Sequence, residues 1–184
     1  MIGNDIIDLR FAETESNWQR KGFLDKQFTS REQVVIKSSE DPFMKVWQFW
    51  SMKEAAYKIY TQLTEERFFA PKKFECELTS GSKGIVCFQN QKFYTTSILN
   101  RTYIFTVAGL EKEIKNSSSI GLPNEIDQSI KRKLQKETGI SISEIEQRKS
   151  KIGAPNYYHK NKRLTKSCAI SHHGNYGAFS LLYT

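Results

Sequence analysis

Trp47-Gln-Phe-Trp-Ser-Met-Lys-Glu-Ala-Ala-Tyr-Lys-Ile-Tyr60 contains neither glycine nor proline. At about 100° per residue, Val46, Phe49, Trp50, Met52, Ala56, Tyr57, Ile59 and Tyr60 share one broad apolar arc, which predicts a helix buried on most of its sides. The opposite stripe, Trp47, Ser51, Glu54 and Lys58, runs at i, i+4, i+7 and i+11 and puts an acid and a base on one line. Lys53 falls in the middle of the aromatic arc. An unpaired ammonium there is costly or loses its proton, so it needs an anion or a route to water. The plain alternative is that Glu54 and Lys58 form an ordinary surface pair and that Lys53 snorkels along the rings to solvent.

The 184-residue chain is long enough for one domain or two small lobes with a sizeable core. It has no run of 18 or more apolar residues, so no membrane span is expected. Its first residues, Met-Ile-Gly-Asn-Asp, carry an acid where a signal peptide carries positive charge, which points to a cytoplasmic protein. Cys76, Cys87 and Cys168 lack the spacing of a zinc site and read as reduced thiols in strands. A net charge of +8 favours anionic partners: nucleic acid, phosphorylated cofactors or acidic proteins.

Working outward, residues 2 to 9 read as a strand entered through a close-packed Gly3, with Asp5 and Asp8 inside it and in need of partners. Residues 14 to 40 are helical in pattern, with Thr29 or Ser30 as a cap, and Asp41-Pro42 ends them. From Phe74 to Ala108 the period changes to that of four strands, an antiparallel meander able to cover one face of the central helix. Glu111 to Gly121 reads as a linker. A second unit opens at Pro123, with an apolar stripe of Ile126, Ile130 and Leu134 and a stop at Gly139. A short helix over 143–148, a basic loop from Arg148 to Lys166, and two strands around Ala169–Ser171 and Ala178–Leu182 complete it. The fold class is α+β, divided into residues 1–115 and 123–184.

Asp5 and Glu54 are acids flanked by apolar sequence on separate elements, the arrangement a hard cation uses where a fold brings them together. Magnesium is commonly held by one or two carboxylates, with waters and substrate phosphates completing the octahedron. Lys53 and Lys58 beside such a site supply counter-charge for phosphate oxygens, and Ser171 with His172 adds hydrogen-bond donors. The plain reading of Ser171-His172 is a local strand-end cap. Neither a Gly-x-Ser-x-Gly elbow nor a Walker A loop is present.

Gly3-Asn-Asp5-Ile6, Trp50-Ser-Met-Lys53-Glu54-Ala-Ala-Tyr-Lys58, Gly153-Ala-Pro155 and Ile170-Ser171-His172-His-Gly174 together resemble the motifs of the 4′-phosphopantetheinyl transferases. In the larger, surfactin-synthetase type, two similar α+β lobes pack about a pseudo-twofold axis, each with an antiparallel sheet on a long helix. There the Gly-x-Pro and Ser-His blocks come first; here they follow, so the resemblance implies a permuted pseudo-dimer. It further implies magnesium on Asp5 and Glu54, Lys58 on a pyrophosphate, and Lys53, Gly153, Pro155, Ser171 and His172 among the contacts to coenzyme A. The implied reaction moves phosphopantetheine from coenzyme A to a serine of an acidic acyl or peptidyl carrier protein, as fatty acid or polyketide biosynthesis requires. A monomer is expected, or a trimer if the chain follows the small holo-acyl-carrier-protein synthases, and neither nucleic acid nor membrane is an expected partner.

Two departures stand out. Ile7 occupies the place of a glutamate common in the two-lobed type, leaving Asp8 or water as third ligand. Ala154 stands where lysine is frequent, with Lys151, Lys160 and Lys162 as replacement charges. Competing readings are a family member that binds coenzyme A or a carrier protein without turnover, and a basic nucleic-acid-binding protein.

Overall fold

The computed structural model describes residues 1–68 and 70–184. A 23-residue helix, α4 (Pro42–Thr64), lies at the centre of its first part. Asp41 accepts the Met44 N–H at its start, Pro42 occupies the first turn, and Glu65 ends it in the left-handed region. Three shorter helices precede it: α1 (Leu9–Glu15), α2 (Phe23–Gln27) and α3 (Ser30–Lys37). α3 opens with a reciprocal box in which Thr29 Oγ1 accepts the Glu32 N–H and the Glu32 carboxylate accepts the Thr29 N–H.

The strands β1 (Ile2–Asp8), β2 (Glu75–Leu78), β3 (Lys83–Phe88), β4 (Gln91–Leu99) and β5 (Tyr103–Gly109) form an antiparallel sheet in the order β1-β5-β4-β3-β2. The meander is the one its alternation predicts. β1 adds to the far edge, in register from Ile2 opposite Gly109 to Asp8 opposite Tyr103. This sheet closes over α4 around Phe49, Met52, Ile59, Phe74, Val86 and Phe93, all 0–1% exposed. Each such side chain contributes about 1.5–3 kcal/mol by leaving water. Trp47 and Ser51, on the polar stripe of the wheel, are buried as well: α2 and Phe43 cover the Trp47 ring, and Ser51 lies against β1, where its hydroxyl meets the Asp5 carbonyl.

A second group of elements is built on α5 (Ile126–Thr138), whose buried residues are Ile126, Ile130 and Leu134 and whose end is Gly139 at φ 73°, as the stripe and the glycine predict. It packs on a three-stranded sheet, β10-β11-β6, formed by β6 (Ser117–Gly121), β10 (Thr165–His173) and β11 (Tyr176–Tyr183). Ser117–Gly121 is thus a paired strand rather than part of a linker. Its serines suit a sheet edge, and Ser118 Oγ lies 2.7 Å from Ser180 Oγ on β11.

The expected helix over 143–148 is also corrected: Ile142–Glu144 forms one 3₁₀ turn and β7 (Ile145–Lys149) follows. β7 pairs with β8 (Pro155–His159), and β8 with β9 (Lys162–Arg163), so the basic loop carries a small sheet. Tyr157, fully buried on β8, donates its hydroxyl to Asp127 of α5 and fastens that sheet to the helix.

β1 joins the two groups, and all seven of its residues are buried. Gly3 and Ile7 face α4, while Ile2 and Ile6 pack with Phe105, Val107 and Ala178 toward the second sheet. A Cβ on Gly3 would lie 1.9 Å from the Ala55 carbonyl oxygen, so only glycine lets the strand cross the helix this closely.

Candidate active site

That crossing positions Asp5. Two residues beyond Gly3, its backbone carbonyl accepts the Ser51 hydroxyl one turn up α4 at 3.4 Å. Its side chain is 12% exposed, with Oδ1 3.7 Å from Lys58 Nζ. Lys58 donates to the Asn4 carbonyl at 2.7 Å and to the Ile170 carbonyl at 3.3 Å, so one ammonium spans β1, α4 and β10. The seam continues one turn along the helix. There Gln62 Nε2 donates to Ile2 O, Ser167 Oγ donates to Gln62 Oε1, and Ile2 N–H donates to Ser167 Oγ, at 2.7–2.9 Å.

Along this seam opens a cleft of about 310 Å³, lined by Tyr57, Lys58, Arg67, Gly153, Pro155 and Ala169 among others. It is at the small end of the range of ligand sites. Glu54 precedes Lys58 by one helical turn. Burial pushes the Asp5 carboxyl up to about 6, with Lys58 and Ser51 drawing it part of the way back. Burial, and then the Asp5 charge, push Glu54 up to about 7 against the pull of Lys58. The two acids therefore share one poorly solvated region, where the pull of Lys58 falls short of the cost of burying their charged forms.

The residues present fit a hard divalent ion. Among the described residues, Asp5 Oδ2 is buried without a hydrogen-bond partner. An orphaned carboxylate oxygen beside a second carboxyl whose ionisation is opposed is the donor set that magnesium completes with water and phosphate oxygens. No group of three or more His, Cys, Asp or Glu side chains converges among the described residues, so the candidate site rests on two carboxylates. Asp8 does not supply a third: it accepts from Phe11 N–H at 3.1 Å and from the Asn175 backbone and side chain at 3.0 and 3.2 Å. Burial alone would raise its carboxyl, but those N–H groups hold it below its ordinary value.

Of the other predicted residues, Gly153 and Pro155 line the cleft with Lys58. Ser171 is 5% exposed with Oγ unpartnered among the described residues, and it directly follows Ile170, whose carbonyl meets Lys58. His172 is exposed at the end of β10. Its neighbour His173 instead accepts the Asp8 N–H at Nδ1, 3.0 Å away, and closes the turn onto β1.

Lys53 is corrected: it does not belong to this site. It is fully buried and contacts Glu32 Oε1 at 2.8 Å and Oε2 at 3.0 Å, with the Pro71 and Phe74 carbonyls completing its hydrogen bonds. Glu32 is 1% exposed and also accepts the Cys76 N–H, so the ammonium meets its anion inside the core and has no donor left for a ligand.

Arg67 gave no signal in the sequence. Beyond the end of α4, among Glu65 and Glu66, it reads as part of a solvated helix end, yet its guanidinium donates to Ile152 O at 2.8 Å and lines the cleft.

Among solved structures, the chain is similar to the holo-[acyl-carrier-protein] synthase of Thermotoga maritima, at 17% sequence identity and a TM-score of 0.46, over 81% of this chain and 77% of that one. No curated protein matches. The model of the 4′-phosphopantetheinyl transferase superfamily matches residues 1–108, the stretch that contains β1, α4 and all of the first sheet but its last residue, and the chain belongs to that superfamily.

Proposed function

We propose that this protein transfers the 4′-phosphopantetheine group of coenzyme A to a serine hydroxyl of an apo acyl or peptidyl carrier protein, with magnesium, releasing 3′,5′-ADP. The observation that carries this reading is the meeting of Asp5 and Glu54, from distant parts of the chain, beside a cation that lines a ligand-sized cleft. The serine oxygen forms a bond to the β-phosphorus, the bond from that phosphorus to the bridging oxygen breaks, and the electron pair leaves on the 5′-phosphate of the nucleotide.

Glu54, or a water beside it, accepts the serine proton. Lys58, already held by two backbone carbonyls, is positioned against diphosphate oxygens without first having to be ordered. Asp5 and Glu54 would hold the ion, which when bound supplies positive charge to the diphosphate. Ser171 and His172 are assigned to the nucleotide end. A single chain contributes both acids and the β10 block, which favours a monomer, and a trimeric mass in solution would remove that assignment. A basic enzyme of net charge +8 also gains encounter rate with acidic carriers, an advantage that falls as salt rises.

The test is intact-protein mass spectrometry of apo carrier proteins incubated with the protein, magnesium and coenzyme A. A gain of one phosphopantetheine on the carrier serine is expected. Coenzyme A binding without any gain, on acyl and peptidyl carriers alike, would favour a binding protein that does not turn over. Ile7, buried where a further acid is common, is the feature that motivates that second reading.

A further inference from the structure

Two cations line the cleft beside α4, Lys58 on the helix and Arg67 beyond its end, and among the described residues no carboxylate lines it with them. From Lys58 to Thr64 the helix rises about 9 Å, so the two bases enter the cleft from well-separated points. Lys58 serves the end where Asp5 lies. Arg67 serves the other, where Ser150 to Ala154 form a tight turn: the Gly153 N–H donates to Ser150 O at 2.9 Å and the Ala154 N–H to Ser150 Oγ at 3.1 Å.

The turn makes room for the guanidinium. Gly153 stands at φ +83°, and a Cβ there would come within 3.0 Å of the Arg67 Nη2 atom. Arg67 spends one donor on the Ile152 carbonyl and makes no ion pair among the described residues. A guanidinium has five N–H donors in a planar fork matched to phosphate oxygens, and this one is oriented by one hydrogen bond with the others available.

We propose that Arg67 is a second phosphate anchor, taking the ribose 3′-phosphate of the ligand whose diphosphate lies at Lys58, and so distinguishes coenzyme A from its 3′-dephospho form. This rests on the transferase reading above. The leaving nucleotide of that reaction carries phosphate at two places, and the cleft offers two separated cations.

Direct calorimetric titration tests it without carrier protein or turnover. Wild type, Arg67→Ala and Arg67→Lys are each titrated with 3′,5′-ADP and with 5′-AMP, with folding checked by circular dichroism. Loss of charge-assisted hydrogen bonds should weaken 3′,5′-ADP roughly ten- to hundredfold in Arg67→Ala, leave 5′-AMP within about twofold, and be partly restored in Arg67→Lys. Unchanged binding of 3′,5′-ADP overturns the proposal. Equal weakening of both nucleotides also overturns it and makes Arg67 a brace for the 150–154 turn. A wild-type protein that binds neither nucleotide overturns the transferase reading itself, and this assignment with it.

Discussion

In the presence of a chelator, the two site acids should make the protein less stable as pH rises from about 4 to about 7. Asp5 titrates near 6 in the folded chain against an ordinary 3.8, and Glu54 near 7 against 4.5. A carboxyl raised in the folded state holds its proton more tightly there than when unfolded. Its contribution is therefore fully present below the unfolded value and is lost as pH passes the folded one. At about 1.4 kcal/mol per pKa unit, Asp5 alone accounts for a loss on the order of 3 kcal/mol by pH 8. In a chain of this length that corresponds to roughly 6–12 °C in melting temperature.

Asp5→Asn removes the buried charge and keeps the shape. The variant should match wild type near pH 4 and exceed it by about that amount at pH 8. Comparing the two proteins matters, because burial lowers the proton affinity of His173 and tilts both curves the opposite way. Magnesium should reverse the order. At a thousand times its dissociation constant it stabilises the wild type by about 4.1 kcal/mol, more than the deficit at pH 8, and leaves Asp5→Asn nearly unmoved. Denaturant titrations at pH 4, 6 and 8, with chelator or with magnesium, give all of these numbers. An Asp5→Asn protein less stable than wild type in chelator at pH 8 would refute the claim that Asp5 is held charged against its surroundings for a ligand.

Glu54→Gln should lower transfer by about 10²–10⁴-fold with the fold intact, which single-turnover mass spectrometry can follow; near-wild-type turnover would remove Glu54 as the proton acceptor. Lys53→Ala strands the Glu32 carboxylate in the core and should cost about 3–5 kcal/mol, read by denaturant unfolding. A stable Lys53→Ala protein that had lost coenzyme A binding would instead return Lys53 to the site. His172→Ala should raise the KM for coenzyme A with little change in kcat, and an unchanged KM would argue against contact with the nucleotide. Gly153→Ala forces a side chain into the left-handed region at a cost of about 1 kcal/mol. It should also displace the Arg67 guanidinium, so nucleotide affinity should fall further than stability does; equal affinity would show that the turn tolerates the methyl group.

Lys53 and Lys58 mark where the sequence stops being readable. Both are cations on one helix, five residues apart, and the helical wheel sets Lys53 against apolar neighbours in either case. Its role depends on whether a carboxylate arrives from elsewhere, and the one that does is Glu32, a capping-box residue of α3 whose local signal is already satisfied by Thr29. Periodicity is a property of one element, so it recovered α4, the meander and the α5 stripe. It could not report that a capping glutamate has a second pair of partners on two other elements. β7 and β6 were lost for a related reason: short, polar edge strands bury little, and their pairing is decided by β8 and β11 rather than by their own residues.

The same distinction separates the two ends of the cleft. Asp5 was legible because an acid inside an apolar strand is costly in any fold and so announces a need for a partner. Arg67 was not, because a charged residue after a helix costs nothing where it stands; its meaning comes only from the glycine turn that the chain brings to it from the far unit. A site residue shows in sequence when its local environment penalises it. Asp5 meets that condition, whereas Arg67 at the other lip is recognisable only once both sides of the cleft are assembled.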